Sequence, residues 1–198
     1  MKLIDFKFVD LPAAFLQAPN FDKDRPASMN YGAIGSVVAH EITHGFDRLL
    51  EKETKQVLEQ YKNKVKCIID QYSSFKDPDI KVLLNGTVTA REDVADNGGL
   101  KLAYRAYQKW KKTKDKTEQN LIAISFKPKQ LFWISYAQFY CTVARKEQKI
   151  ALLESKDEHS FDRFRVIGPL TNSIEFATDF ECSTKSQMNL PRERCSIW

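Results

Sequence analysis

The chain has 198 residues, 42% of them hydrophobic and 29% charged, with a formal net charge of +5, and a chain of this length can bury roughly 70% of its unfolded surface in one core, so one domain is expected. The positive excess comes mainly from dispersed lysines and from Lys109, Lys111, Lys112, Lys114 and Lys116 around one expected loop; no aromatic-interleaved basic stripe accompanies it, which argues against DNA or RNA as partner. No window approaches the roughly 18 consecutive apolar residues of a transmembrane helix, so no membrane segment is expected in this chain.

Met1-Lys2-Leu3-Ile4-Asp5-Phe6-Lys7 lacks the apolar stretch of a signal peptide. Pro12, Pro19 and Pro26 punctuate the next stretch of chain, and Phe15, Leu16 and Phe21 between them predict an extended segment lying on the body of the protein. Ser28 or Asn30 can cap the next helix, whose apolar positions Ile34, Val37, Val38 and Ile42 recur at helical spacing. This helix carries His40-Glu41-Ile42-Thr43-His44. Two imidazoles four residues apart share a helix face and can hold one Zn²⁺, and the glutamate between them is placed to act on a metal-bound water.

A second helix is predicted from about Glu51 to Tyr72, with Val57, Tyr61, Val65, Ile68 and Ile69 on one face, ended by Asp77-Pro78-Asp79. Lys81 to Leu84, followed by Asn85-Gly86, predicts a short strand or turn leading into a third helix over about Ala90 to Lys112. On that helix Glu92 and Asp96 stand at i and i+4 and project from one side, so that one carboxylate can ligate while the other orients a ligand. A His₂Glu set with an open position is the catalytic type of zinc site, whereas a structural site is closed by a fourth protein ligand, usually cysteine. None of the four cysteines lies close in sequence to His40 or His44.

Gly98-Gly99 inside a helix costs about 1 kcal/mol per glycine relative to alanine, which predicts a neighbouring element packed too closely for a Cβ, or else a local kink. A fourth helix is predicted from about Pro128 to Arg145; its residues Leu131, Phe132, Trp133, Ile134, Tyr136, Phe139 and Tyr140 make it apolar nearly all round and therefore buried.

Asn30-Tyr31-Gly32 through Val38 to Asp47, with Glu92 to Tyr104, Phe132 to Cys141, His159 to Gly168 and the ending Cys195-Ser196-Ile197-Trp198, resembles the neprilysin and endothelin-converting-enzyme family of metallopeptidases. The likeness covers nearly the whole chain, and it is a likeness to the C-terminal part of much longer enzymes. It implies a mainly α-helical, gluzincin-like (thermolysin-like) catalytic-domain fragment with short strand or turn elements, residues 1–198 being the C-terminal portion and the N-terminal part missing. It further implies one Zn²⁺ per chain held by His40, His44 and Glu92, oligopeptide substrates, and an extracellular or cell-surface setting that no signal or anchor in this chain would direct.

The resemblance assigns Glu41 as general base toward the zinc-bound water and Asp96 as the carboxylate that fixes the tautomer of a zinc histidine. Asp47, three residues after His44, could play a part similar to Asp96 or merely close the helix with Gly45. His159 would donate to the tetrahedral oxyanion, and Arg165 would bind a substrate carbonyl. The family commonly has proline where Phe161 stands, a departure expected to displace the loop bearing His159, and asparagine where Asp93 stands. Cys67 and Cys195 match a pair that the family joins, while Cys141 and Cys182 match positions whose partners belong to the missing region. Two functions are open: a zinc-dependent endopeptidase fragment, or a non-catalytic zinc-binding helical interaction protein without an assembled substrate cleft.

Overall fold

The computed structural model describes residues 2–5, 8–50, 53–114, 118–189 and 191–198. The architecture is mainly helical. A short antiparallel hairpin, β1 (Lys2–Asp5) and β2 (Phe8–Asp10), pairs Lys2 with Asp10 and Leu3 with Val9. The helices are α1 (Ala27–Gly32), α2 (Ile34–Leu50), α3 (Lys55–Ser73), α4 (Gly86–Lys114), α5 (Pro128–Phe139), α6 (Lys146–Glu154), α7 (Asp162–Asn172) and α8 (Ile174–Asp179). None of these is long and apolar enough to cross a membrane.

The segment expected to be extended is instead a 3₁₀ turn at Ala13–Leu16 followed by further turns. Arg25 folds it back, donating from Nη2 to the carbonyl of Asn20 at 2.6 Å and from Nε to Asn30 Oδ1 at 2.6 Å. The helix expected from Ser28 or Asn30 is two helices, broken at Ala33 where ψ is −95°. Neither Ser28 nor Asn30 caps it; Pro26 stands at the N-cap of α1. Ile42, read as part of the apolar face, is 40% exposed.

The α3 core face is narrower than the pattern suggests, with Ile68 and Tyr72 fully buried and Val57 exposed. Asn85 caps α4 by accepting the N–H groups of Thr87 and Val88 on Oδ1, which starts the helix four residues earlier than expected. α5 stops at Phe139, well short of Arg145, in a closing turn where Tyr140 N–H bonds to Ala137 and Cys141 N–H to Gln138. Arg145 is instead the residue before α6.

The main core is formed by Ala39 of α2, Leu100, Ala103, Tyr104 and Tyr107 of α4, Phe132, Trp133 and Tyr136 of α5 and Leu170 of α7. Each of the leucines and Phe132, fully withdrawn from water, contributes about 1.5–3 kcal/mol. Gly32 admits α5 closely, since a Cβ there would meet the Phe132 carbonyl oxygen at 2.1 Å. A second cluster joins Ile68 and Tyr72 of α3, Val94 of α4, and Cys195 and Ile197 of the final segment. Cys67 and Cys195 form a disulfide, while Cys141 and Cys182 are free.

Candidate metal centre

His40 and His44 leave α2 one turn apart on its buried side, 7% and 8% exposed. They face α4 because the glycine pair lets the two helices touch at the backbone. A Cβ on Gly99 would lie 2.6 Å from His40 N and 2.7 Å from its Cα, and one on Gly98 would lie 2.9 Å from Thr43 Cγ2. The reading of Gly98-Gly99 as a close approach, not a kink, therefore stands: both glycines sit inside the continuous helix α4.

Two turns before Gly99, Glu92 reaches both imidazoles. Its Oε2 is 3.1 Å from His40 Nε2, its Oε1 is 3.3 Å from His44 Nε2, and the two Nε2 atoms are 3.0 Å apart. Two ring nitrogens and a carboxylate converging in this way repel unless a proton or a cation lies among them. Tetrahedral zinc holding such donors at about 2.0–2.2 Å separates them by roughly 3.3 Å, so the set fits that ion. The three residues form a potential metal-holding group with one donor atom from each within 4.8 Å of the others.

Asp96, buried on α4, ties this group to the rest of the protein. Its Oδ1 is 2.8 Å from His40 Nδ1, and both of its oxygens accept from Arg165 of α7. Burial alone would raise its pKa, but the charge and hydrogen bonds of Arg165, together with His40, hold it down to about 2. An ionised carboxylate only accepts, so His40 Nδ1 carries a proton, and the ring is held with Nε2 directed toward Glu92 and His44. Burial likewise opposes the charge on Glu92, and the imidazoles of His159, His40 and His44 outweigh it, holding that carboxyl well below the usual range.

His159 lies in the connection between α6 and α7, with Nε2 3.3 Å from Glu92 Oε2. Its backbone N–H and Nδ1 both bond to Asp157 Oδ1, at 2.8 and 2.9 Å. Glu92 is the main reason its pKa is lifted to about 9, with Asp157 adding to that and burial opposing it. Phe161 adopts φ −57°, close to the value a proline ring would fix, so the backbone at this position is one that proline would also allow.

Asp93, next to Glu92, is fully buried and accepts from Thr89 Oγ1 at 2.6 Å. Burial pushes it up to about 8 against the opposing effects of Thr89 and Ser160. That shift favours the uncharged acid, which is closer in chemistry to an asparagine than a carboxylate is. Glu41 is half-buried and makes no hydrogen bond among the described residues. The side chain of Asp47 lies outside the described residues.

The structure thus brings His40, His44, Glu92, Asp96, His159 and Arg165 into one network. It adds residues that sequence reasoning missed. Tyr140 puts its hydroxyl 3.3 Å from Asp96 Oδ1 and its ring 4.9 Å from the Arg165 guanidinium, and Tyr136 donates to the Arg165 carbonyl at 2.7 Å. Both were hidden in the apolar run expected as the fourth helix, where tyrosines read as core. Asp157 could have been found from its place two residues before His159, a spacing at which an Asp side chain bonds to following backbone.

The model of Peptidase family M13 matches residues 4–197 of the chain. An endothelin-converting enzyme homolog from Locusta migratoria is 43% identical over 197 residues, covering 94% of this chain and 26% of that protein. Neprilysin-3 from Drosophila melanogaster is 41% identical, covering 94% of this chain and 25% of that protein. The crystal structure of a Mycobacterium tuberculosis zinc metalloprotease in complex with inhibitor superposes with a TM-score of 0.85 at 30% identity, over 94% of this chain and 30% of that one. The chain therefore spans about a quarter of the length of the curated relatives it matches.

Proposed function

The chain belongs to peptidase family M13, and from that premise we propose that it is the metal-binding portion of a zinc-dependent metalloendopeptidase catalytic domain acting on oligopeptides. The observation that carries this is the convergence of His40 Nε2, His44 Nε2 and the Glu92 carboxylate on one point, with Asp96 fixing the His40 tautomer from behind. His40, His44 and Glu92 would hold one Zn²⁺. When bound, the ion supplies Lewis-acid polarisation of a scissile carbonyl and a lowered pKa for water.

The chain's own residues would do the rest. The Glu41 carboxylate, free of other partners among the described residues and one residue from His40, takes the proton of the attacking water and passes it to the leaving amine. His159, whose Nδ1 is held by Asp157 and whose Nε2 points to the centre, donates from Nε2 to the developing oxyanion. Arg165 gives Nε and Nη2 to Asp96, and its Nη1, which has no hydrogen-bond partner among the described residues, is available to a substrate carbonyl. An extracellular or cell-surface setting is supported by the Cys67–Cys195 disulfide, since such bonds persist in oxidising compartments.

The test is metal analysis of the chelator-stripped, zinc-reloaded chain beside two variants. One zinc per chain is expected, retained by Glu41→Gln and largely lost by Glu92→Ala. An internally quenched peptide should be cleaved, however slowly, by the parent and not by Glu41→Gln. Equal zinc loss in both variants would contradict the division of roles between the two glutamates.

A further inference from the structure

Asn85-Gly86-Thr87 is the chain's one Asn-x-Ser/Thr triplet with a residue other than proline in the middle, the pattern at which secreted proteins accept an N-linked oligosaccharide. It occupies the turn between the Lys76–Leu83 bridge and α4. Resting on the extracellular or cell-surface setting given above, we propose that Asn85 is an N-glycosylation site, its sugar chain anchored at the cap of the helix that carries Glu92 and Asp96.

The turn divides the triplet between protein and water. Asn85 and Thr87 are exposed, whereas Gly86 between them is buried. A Cβ on Gly86 would meet the Ile69 carbonyl oxygen at 2.4 Å, so the middle residue takes up the packing against α3, and its N–H donates to Ser73 Oγ at 3.2 Å. The Asn85 amide is divided in the same way. Its Oδ1 accepts from the N–H groups of Thr87 and Val88, at 3.2 and 3.4 Å, while its Nδ2 has no hydrogen-bond partner among the described residues. The Thr87 hydroxyl has none there either. A cap needs only the oxygen, which an aspartate or a serine would supply equally well. The fold therefore leaves unused the amide nitrogen and the hydroxyl, the two groups by which the triplet is recognised and modified.

The transfer replaces one bond at a sugar carbon with another. Nδ2 of Asn85 bonds to C1 of the innermost sugar of a lipid-pyrophosphate-linked oligosaccharide. The C1–O bond breaks, its electron pair leaves with the lipid pyrophosphate, and Nδ2 gives one of its protons to a base of the transferase. The product is a secondary amide that keeps Oδ1 as acceptor, so the cap on α4 survives the modification and the sugar extends from the nitrogen into water.

The experiment directs the full chain into the secretory pathway of a eukaryotic host by a fused signal sequence and treats the product with peptide-N-glycosidase, which releases the sugar and leaves aspartate at position 85. The parent should run as a glycoform that falls to the bare mass on treatment, with the conversion mapped to the peptide that contains residue 85. Asn85→Asp keeps the capping oxygen and Thr87→Ala keeps Asn85 itself, and both should lose the sugar; Thr87→Ser should retain it. Transfer occurs before folding is complete, so chain retained in the cell is mapped beside chain that is exported, and a variant that folds poorly still reports. A bare parent, or sugar that persists in either Asn85→Asp or Thr87→Ala, overturns the proposal. Disulfide mapping of the same samples separates the two readings. A Cys67–Cys195 bond beside a bare Asn85 sinks the glycosylation alone, and sugar on Asn85 with both cysteines still reduced sinks the oxidising setting while the site stands.

Discussion

Arg165 grips both oxygens of Asp96, Nε to Oδ2 and Nη2 to Oδ1, each at 2.8 Å. The pair is buried, and removing one member of such a pair strands the other charge. Arg165→Met should therefore destabilise the chain by about 3 kcal/mol or more, read from urea unfolding. Arg165→Lys restores the charge but not the planar fork, and should recover only part of that loss. A lysine variant as stable as the parent would show that the fork geometry is unimportant.

Gly99→Ala places a methyl 2.6 Å from the His40 backbone nitrogen, and backbone cannot turn aside as a side chain can. The expected cost is about 1–3 kcal/mol, or a fall in Tm of several degrees. Zinc affinity should drop with it, because any separation of α2 from α4 carries the histidines away from Glu92. Unchanged zinc affinity in a destabilised variant would mean that the donors are positioned independently of the helix contact.

Asp77 is buried and accepts the N–H groups of Asp79 and Ile80 on Oδ1 and Lys149 Nζ on Oδ2 at 2.8 Å. Burial would raise its pKa, but the Lys149 and backbone bonds prevail and lower it from the ordinary 3.8. Lys149 is likewise raised above 10.5 by Asp77 and Asp79 despite its own desolvation. The Asp77 contribution is thus present above pH 3.8 and lost as pH falls through its folded value. The Lys149 contribution is present below pH 10.5 and lost as pH rises through its own. Lys149→Met should lower stability at pH 7 by up to roughly 3 kcal/mol and flatten both limbs of the stability–pH curve. Parallel curves for parent and variant would rule this linkage out.

Without reductant, an alkylating reagent should label Cys141, which is exposed, faster than Cys182, and should leave Cys67 and Cys195 unmodified. Reduction removes a cross-link spanning 128 residues, for which chain-entropy arguments give a loss on the order of 5 kcal/mol. Peptide mass mapping and unfolding with and without reductant check both points.

The sequence carried α2 and α4 well because each has a strong period and a chemical motif, and the i, i+4 spacing alone placed Glu92 and Asp96 on one face. The Gly98-Gly99 pair likewise announced a close approach, although not its partner, the His40 backbone. The break at Ala33 was not legible, since it depends on α5 packing against Gly32 from about a hundred residues away. Nor was the early end of α5, where an apolar run continues in sequence past the point at which Tyr140 turns toward Asp96. α6, α7 and α8 lacked a clean apolar period; α7 even contains Pro169. The engagement of Arg165 by Asp96 was invisible too, because the two lie 69 residues apart.

The Cys67–Cys195 bond closes a covalent ring that contains Glu92, Asp96, His159 and Arg165, whereas His40, Glu41 and His44 lie on the arm that precedes it. A single backbone cut anywhere between residues 68 and 194 opens the ring yet releases no fragment until the disulfide is reduced. A cut between residues 45 and 66 has the opposite result: it severs the histidine helix from the acidic one, leaving the two halves of the metal centre joined by packing alone.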